Sequence, residues 1–196
     1  YYESLPFTLN EPKDFQKVLI LEDEKGIYLG FINKQDKETI RANRHERDDE
    51  MANADKAGLA IDFDGDGLAA YAFTVSAGGS IADGIYRNEN EVNYDWDADW
   101  KSGVFIDKDY WYAEMFIPWS IAPMKAVNEE FREVKLSFWR LLAAEWRVNT
   151  TIKVNPRQEK FISLFHPYKF KNYSVSKIDF FPVSYTHLTL PTTCSV

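Results

Sequence analysis

The stretch "SGVFIDKDYWYAEMFIPWS", residues Ser102–Ser120, decides the fold class. Two runs rich in β-branched and aromatic residues flank the turn-prone Asp107–Asp109, which is the signature of a β-hairpin. Pro118 closes the second run because it has no N–H for a ladder. A period of two places Trp111, Ala113, Met115 and Ile117 on one face and Tyr112, Glu114 and Phe116 on the other. Both faces read as apolar, so Glu114 is expected to be buried, and a buried carboxylate must be paired or protonated. Arg140, in "SFWR", is the expected partner in a structural ion pair.

The same grammar recurs on either side. "QKVLILED" (Gln16–Asp23) and "GIYLGFIN" (Gly26–Asn33) read as a hairpin, and so do "AGLAIDF" (Ala57–Phe63) and "LAAYAFTVS" (Leu68–Ser76) around "DGDG". Gly65 and Gly67 permit the positive φ that such a turn demands. "VKLSFWRLL" (Val134–Leu142) and "KFISLF" (Lys160–Phe165) predict further strands. Lys34–Lys56 is polar with no apolar face, a surface connection holding a helical turn or two. Gly78–Ser80 reads as a plain turn. Short strands at regular spacing without a long amphipathic helix predict an all-β antiparallel sandwich, jelly-roll or immunoglobulin-like.

The chain has 196 residues, enough for one domain with a substantial core. Its net charge of −8 disfavours nucleic acid as a partner. The local cluster Arg41, Arg44, His45 and Arg47 is interleaved with Glu46, Asp48 and Asp49, so it reads as a solvated charged face. No apolar run approaches the ~20 residues of a membrane-crossing helix. The opening "YYESLPFTLNEP" lacks the basic start and apolar stretch of a secretory signal, and starting on Tyr1 suggests a fragment clipped at its amino-terminal end. Cys194 is the only cysteine, which excludes an internal disulfide. Val183–Thr193, "VSYTHLTLPTT", resembles the translation of a sequencing-library adapter. The domain is therefore expected to span 1–181, with 182–196 a non-native tail.

Catalytic motifs are absent. There is no G-x-S-x-G, Walker loop, dinucleotide fingerprint or Cys/His metal spacing, and nothing places a Ser or Cys beside His45 or His166. No second carboxylate has a spacing that pairs it with Glu114 for glycoside hydrolysis. "DFDGDG" (Asp62–Gly67) opens like a calcium loop, but Phe73 stands where an EF-hand needs its bidentate Glu. A looser calcium site on Asp62, Asp64 and Asp66 stands beside the plainer reading of these residues as hairpin formers.

Six tryptophans and eleven tyrosines carry the binding signal. Trp111 and Trp139 read as core, and Trp100 as packed. Trp96 lies between Asp95 and Asp97, where full burial would desolvate carboxylates, so its ring is expected to face water. Trp146, between Glu145 and Arg147, suits a loop. Indole rings stack on the C–H face of a sugar while nearby polar groups meet its hydroxyls, which makes Trp96 and Trp146, with Asp97 and Arg87, the candidate carbohydrate-binding residues.

The ordered set "GIYLGF", "RDD", "ADKAGLAIDFDGDGLAAYAFTVSAGGSIADG", "YDWDADWKSGV", "YWYAEMFIPWS" and "VKLSFWR" resembles the family 9 carbohydrate-binding module. More narrowly, it is similar to the version at the amino-terminal end of large bacterial outer-membrane-associated proteins whose remaining domain is of unknown function. The resemblance spans roughly Asp14–Phe170. It implies a non-catalytic β-sandwich that recognises polysaccharide ends in a carbohydrate catabolic context, sometimes with calcium, located in the periplasm, at the cell surface or outside the cell, and continuing into a further carboxy-terminal domain. It also implies architectural roles for the Trp96–Trp100 block, Glu114 and Arg140. The family's usual "IDG" turn and early Trp are missing here. The alternative from another class is an accessory periplasmic sandwich without sugar affinity.

Overall fold

The computed structural model describes residues 1–6, 8–153 and 160–173. The expected tail, 182–196, lies outside them. Strands β1 (Tyr2–Leu5), β2 (Gln16–Glu22), β3 (Gly26–Lys34), β4 (Lys56–Asp62), β5 (Ala70–Ser76) and β6 (Ile81–Arg87) come first. They are followed by β7 (Glu91–Asn93), β8 (Lys101–Asp107), β9 (Tyr110–Pro118), β10 (Phe131–Leu142), β11 (Arg147–Thr150) and β12 (His166–Lys171). All pairings are antiparallel. The larger sheet runs β1-β11-β10-β4-β5-β6-β7, and the smaller runs β2-β3-β9-β8. The twelve-residue β10 is long enough to carry both β11 and β12 along one edge.

The two sheets face each other across one apolar layer. Ala57, Leu59 and Ile61 of β4, Phe73 and Val75 of β5, and Leu136 and Phe138 of β10 meet Ile27, Leu29 and Phe31 of β3 and Trp111, Ala113, Met115 and Ile117 of β9. A second cluster, Ala60, Ala70, Ile152, Ile162 and Phe165, covers the opposite face of the larger sheet. That explains "KAGLAID": every residue of β4 is buried, because a central strand covered on both faces has no reason to alternate. The smaller sheet has no such cover on its outer face, where Leu19, Leu21 and Phe105 are exposed.

The three hairpins predicted from sequence form, and Lys37–Thr39 supplies the single helical turn of the polar connection. Two expectations fail. Lys160–Phe165 is not a strand: Ile162–Leu164 is a 3-10 turn that drops Ile162 and Phe165 into the second cluster. Glu114 is not buried and does not pair with Arg140. The alternation in β9 is as predicted, but the Tyr112–Glu114–Phe116 face is the outer one, and Glu114 is exposed. Arg140 points the other way, between the sheets, fully buried. Its guanidinium donates to the carbonyls of Phe15 (3.2 Å) and Lys34 (3.0 Å) and to Gln35 Oε1 (2.8 Å). Gln35 in turn donates to the buried Asp55 carboxylate at 2.8 Å, relaying the countercharge. Burial pulls the Arg140 pKa down to about 10, opposed by Asp14 and Asp55. No helix among the described residues is long and apolar enough to cross a membrane.

Candidate functional site

The connection from β7 to β8 carries the acidic tryptophan block, and its two indoles have different fates. Trp100 enters the core edge-on to Phe73, with ring centroids 5.5 Å apart. Trp96 is half-buried, resting on Tyr71 (5.1 Å) and Phe73 (6.0 Å). The expectation of a water-facing Trp96 is thus met on one side only, because the rings beneath it offer more apolar contact than the flanking carboxylates forbid. Asp95, Asp97 and Asp99 stay exposed while Trp96, Ala98 and Trp100 turn inward, so the segment alternates like a strand without pairing as one.

A cleft of about 490 Å³ opens beside Trp96. It is lined by Trp96, Asp97 and Asp99 of the β7–β8 connection, by Lys101 of β8 and its register partner Phe116 of β9, and by Pro118, Ser120 and Ile121 at and just after the end of β9. The β7–β8 connection is held in place from below. Asp83 on β6 is fully buried, and its carboxylate accepts from the Ala98 N–H at 2.7 Å and from the Arg47 guanidinium. Arg47 also donates to the Ala98 carbonyl (3.1 Å) and pairs with Asp97 (2.8 Å). Burial pushes the Asp83 carboxyl upward, and the Ala98 N–H and Arg47 charge oppose the shift. Asp97 is therefore both a rim carboxylate, 73% exposed, and a brace for the loop.

The other expected residues are dispersed. Arg87 is exposed at the end of β6, on the Tyr71 side of the sheet, and does not line the cleft. Trp146 is 49% exposed, as its polar neighbours suggested, but it lies in the β10–β11 turn. Trp96 rests near the row Leu136–Ile61–Tyr71, six residues along β10 from Leu142, where that turn begins. At ~3.3 Å per residue the two indoles are held about 20 Å apart along the sheet and cannot clamp one sugar ring. Asp99, Lys101 and Ser120 complete the cleft and were not singled out from sequence. A register that turns Lys101 and Phe116 to the same face was the only signal that could have found any of them.

The three aspartates of the "DGDG" turn line one pocket with Lys125, and each carboxylate is already engaged there. Asp62 is buried and accepts the N–H groups of Asp64 (3.1 Å), Gly65 (2.8 Å) and Gly67 (2.8 Å). Asp64 pairs with Arg132 at 3.3 Å, and Asp66 with Lys125. Among the described residues no three His, Cys, Asp or Glu side chains are grouped to hold a metal ion. As arranged, this trio does not fit a calcium site, since each carboxylate is engaged within the turn or by a cation.

No protein-family model matches the chain, and no curated protein matches it in sequence. Solved structures do. A presumed carbohydrate-binding protein of Bacteroides uniformis ATCC 8492 superposes with a TM-score of 0.63 at 13% identity, covering 82% of this chain and 80% of that one. A family 9 carbohydrate-binding module of Caldicellulosiruptor kristjanssonii, in complex with glucose, gives 0.54 at 12% identity over 87% and 83%. Its complex with cellotriose gives 0.54 at 11% over 94% and 84%. The chain has the fold of the family 9 carbohydrate-binding modules.

Proposed function

We propose that this domain binds carbohydrate without catalysing its breakdown, and that the cleft beside Trp96 takes the sugar. The observation that carries this reading is the composition of one small concavity: a half-buried indole, two carboxylates, an ammonium and a hydroxyl beside the apolar Phe116, Pro118 and Ile121. A pyranose presents a C–H face that packs on the ring and a girdle of hydroxyls that need both donors and acceptors. Asp99 and the outward oxygen of Asp97 accept from sugar hydroxyls, Lys101 donates, and Ser120 does either. The fold shared with modules crystallised with glucose and cellotriose supports the same assignment.

The cleft draws its acid from one segment only. Asp97 and Asp99 both come from the β7–β8 connection, and the stretch from β9 into the turn after it contributes Phe116, Pro118, Ser120 and Ile121 but no carboxylate. Glycoside hydrolysis uses two carboxyl groups flanking the scissile bond, about 5–10 Å apart, and this arrangement lacks the second. The test is intrinsic fluorescence titrated with a panel of mono- and oligosaccharides. The wild type shows a saturable change; Trp96→Ala loses it while its circular dichroism stays that of a β-sheet protein. A folded wild type that answers no saccharide would favour the accessory domain without sugar affinity.

A further inference from the structure

The nine glycines divide unevenly. Gly65, Gly67 and Gly79 have φ of 67°, 79° and 87°, where an L side chain is strained. Gly26, Gly58, Gly78 and Gly84 are pressed by neighbours: an added Cβ would lie 2.2 Å from the Ile117 carbonyl, 2.4 Å from the Trp139 ring, 2.6 Å from the Ala42 carbonyl and 2.8 Å from the Asn93 carbonyl. Each of these seven is required by its own backbone conformation or by a neighbour packed against it. Gly30 and Gly103 are not. A Cβ on Gly30 would make ordinary contact with Leu19 at 3.8 Å, one on Gly103 would meet nothing within 4 Å, and neither glycine has positive φ. Glycine inside a strand forfeits side-chain packing and carries extra chain entropy, so its presence at both positions calls for a cause outside the fold.

That cause lies in the register. Gly30 pairs with Glu114 on one side and Gly103 pairs with it on the other, all on the exposed face of the smaller sheet. The two missing side chains leave bare backbone on both flanks of a single carboxylate. Among the described residues Glu114 has no ion pair or hydrogen-bond partner. The next row along the strands is aromatic, with Tyr28 and Phe116 at 4.8 Å and 33°. The row on the other side is aromatic too, with Phe105 and Tyr112 at 6.2 Å and 27°. A groove of about 500 Å³ follows the Tyr28–Phe116 side of this face, and Lys101 and Phe116 line both this groove and the Trp96 cleft.

We propose that the Gly30–Glu114–Gly103 trough continues the Trp96 cleft across the sheet and binds further rings of the same glycan chain, Glu114 accepting from their hydroxyls. The proposal rests on sugar binding at Trp96 and adds to it that the ligand is an extended chain. Gly30, Glu114 and Gly103 lie on three adjacent strands, which at ~4.8 Å spacing span about 10 Å, room beyond a single ring. The flanking aromatic rows supply stacking surface, and glycines keep the floor low enough for a ring to reach the carboxylate.

The test measures Kd by calorimetry for gluco-, manno- and xylo-oligosaccharide series from one to six units, with wild type, Gly103→Val and Glu114→Gln. The expected result is that wild-type Kd falls at least about tenfold with length in one series, and that both variants lose that gain while binding the monosaccharide as before. Sugar binding that does not depend on length, or a gain that survives in Gly103→Val and Glu114→Gln, overturns the trough but leaves the cleft intact. No binding in any series overturns both. Sedimentation velocity supplies the remaining arm: a wild-type dimer that Gly103→Val converts to monomer would assign this face to a second copy and refute the proposal.

Discussion

Arg47 shows how one side chain joins charge, burial and site geometry. It neutralises the buried Asp83, and through Asp97 and the Ala98 carbonyl it fixes the wall on which Trp96 sits. Arg47→Ala leaves the buried Asp83 without its countercharge, a loss of about 3 kcal/mol by urea unfolding at pH 7. Burial already raises the Asp83 carboxyl, and removing Arg47 raises it further. Above the ordinary carboxylate range the unfolded variant has released a proton that the folded variant retains, so its stability falls as pH rises through that window. The deficit relative to wild type is therefore predicted to shrink at pH 4; an equal deficit at both pH values would show that Arg47 acts by packing alone. Trp146 makes the contrasting case. Its φ of 48° lies in the left-handed region that disfavours a bulky L residue, and its ring is half exposed. Trp146→Gly is predicted to leave stability within about 1 kcal/mol of wild type and saccharide affinity unchanged, read by thermal melting and calorimetry.

At the scale of strands, the hairpins were legible because alternation, β-branching and turn chemistry coincide in Gln16–Asn33, Ala57–Ser76 and Ser102–Pro118. Strand β6 was not, since "IADGIYR" buries Ala82, Asp83 and Gly84 in succession and carries its polar group inward. The misassignment of Glu114 had a different origin. The period of its strand is as expected, but Tyr112 and Phe116, apolar enough to suggest burial, belong to an open aromatic face. The glycines offer a direct check at this scale. Gly58→Ala drives its Cβ into the Trp139 indole and is predicted to cost about 1–3 kcal/mol, as overpacking does. Gly103→Val fills open space on a strand and is predicted to leave stability unchanged or raise it by about 0.5–1 kcal/mol. Chemical denaturation of both variants decides the matter; equal losses would remove the distinction between required and unrequired glycines.

For the whole molecule, the asymmetry of cover organises everything else. The larger sheet is covered on both faces at its centre, around β4, and the smaller sheet presents aromatic rings, two bare glycines and a lone carboxylate to solvent, with the Trp96 cleft at its corner. The sandwich could be read from the sequence because its pattern is local. The cleft could not, because Trp96, Lys101 and Ser120 are brought together by the turn after β9, and a sequence does not state which surface tryptophans become neighbours. Exposure alone selected Trp146, and the topology separates it from Trp96. The acidic turn at Asp62–Gly67 is closed by its own backbone and by Lys125 and Arg132. Excess chelator or added calcium is accordingly predicted to leave the melting temperature unchanged; a rise of several degrees with calcium would reinstate a metal site there. The central claim, a sugar seated against Trp96, is tested most directly by following the six indole N–H resonances during saccharide titration. The prediction is a saturable shift of the Trp96 resonance, with Trp146 and the buried Trp111 unmoved; a saturable shift of Trp146 alone, or no shift in any of the six, would contradict it.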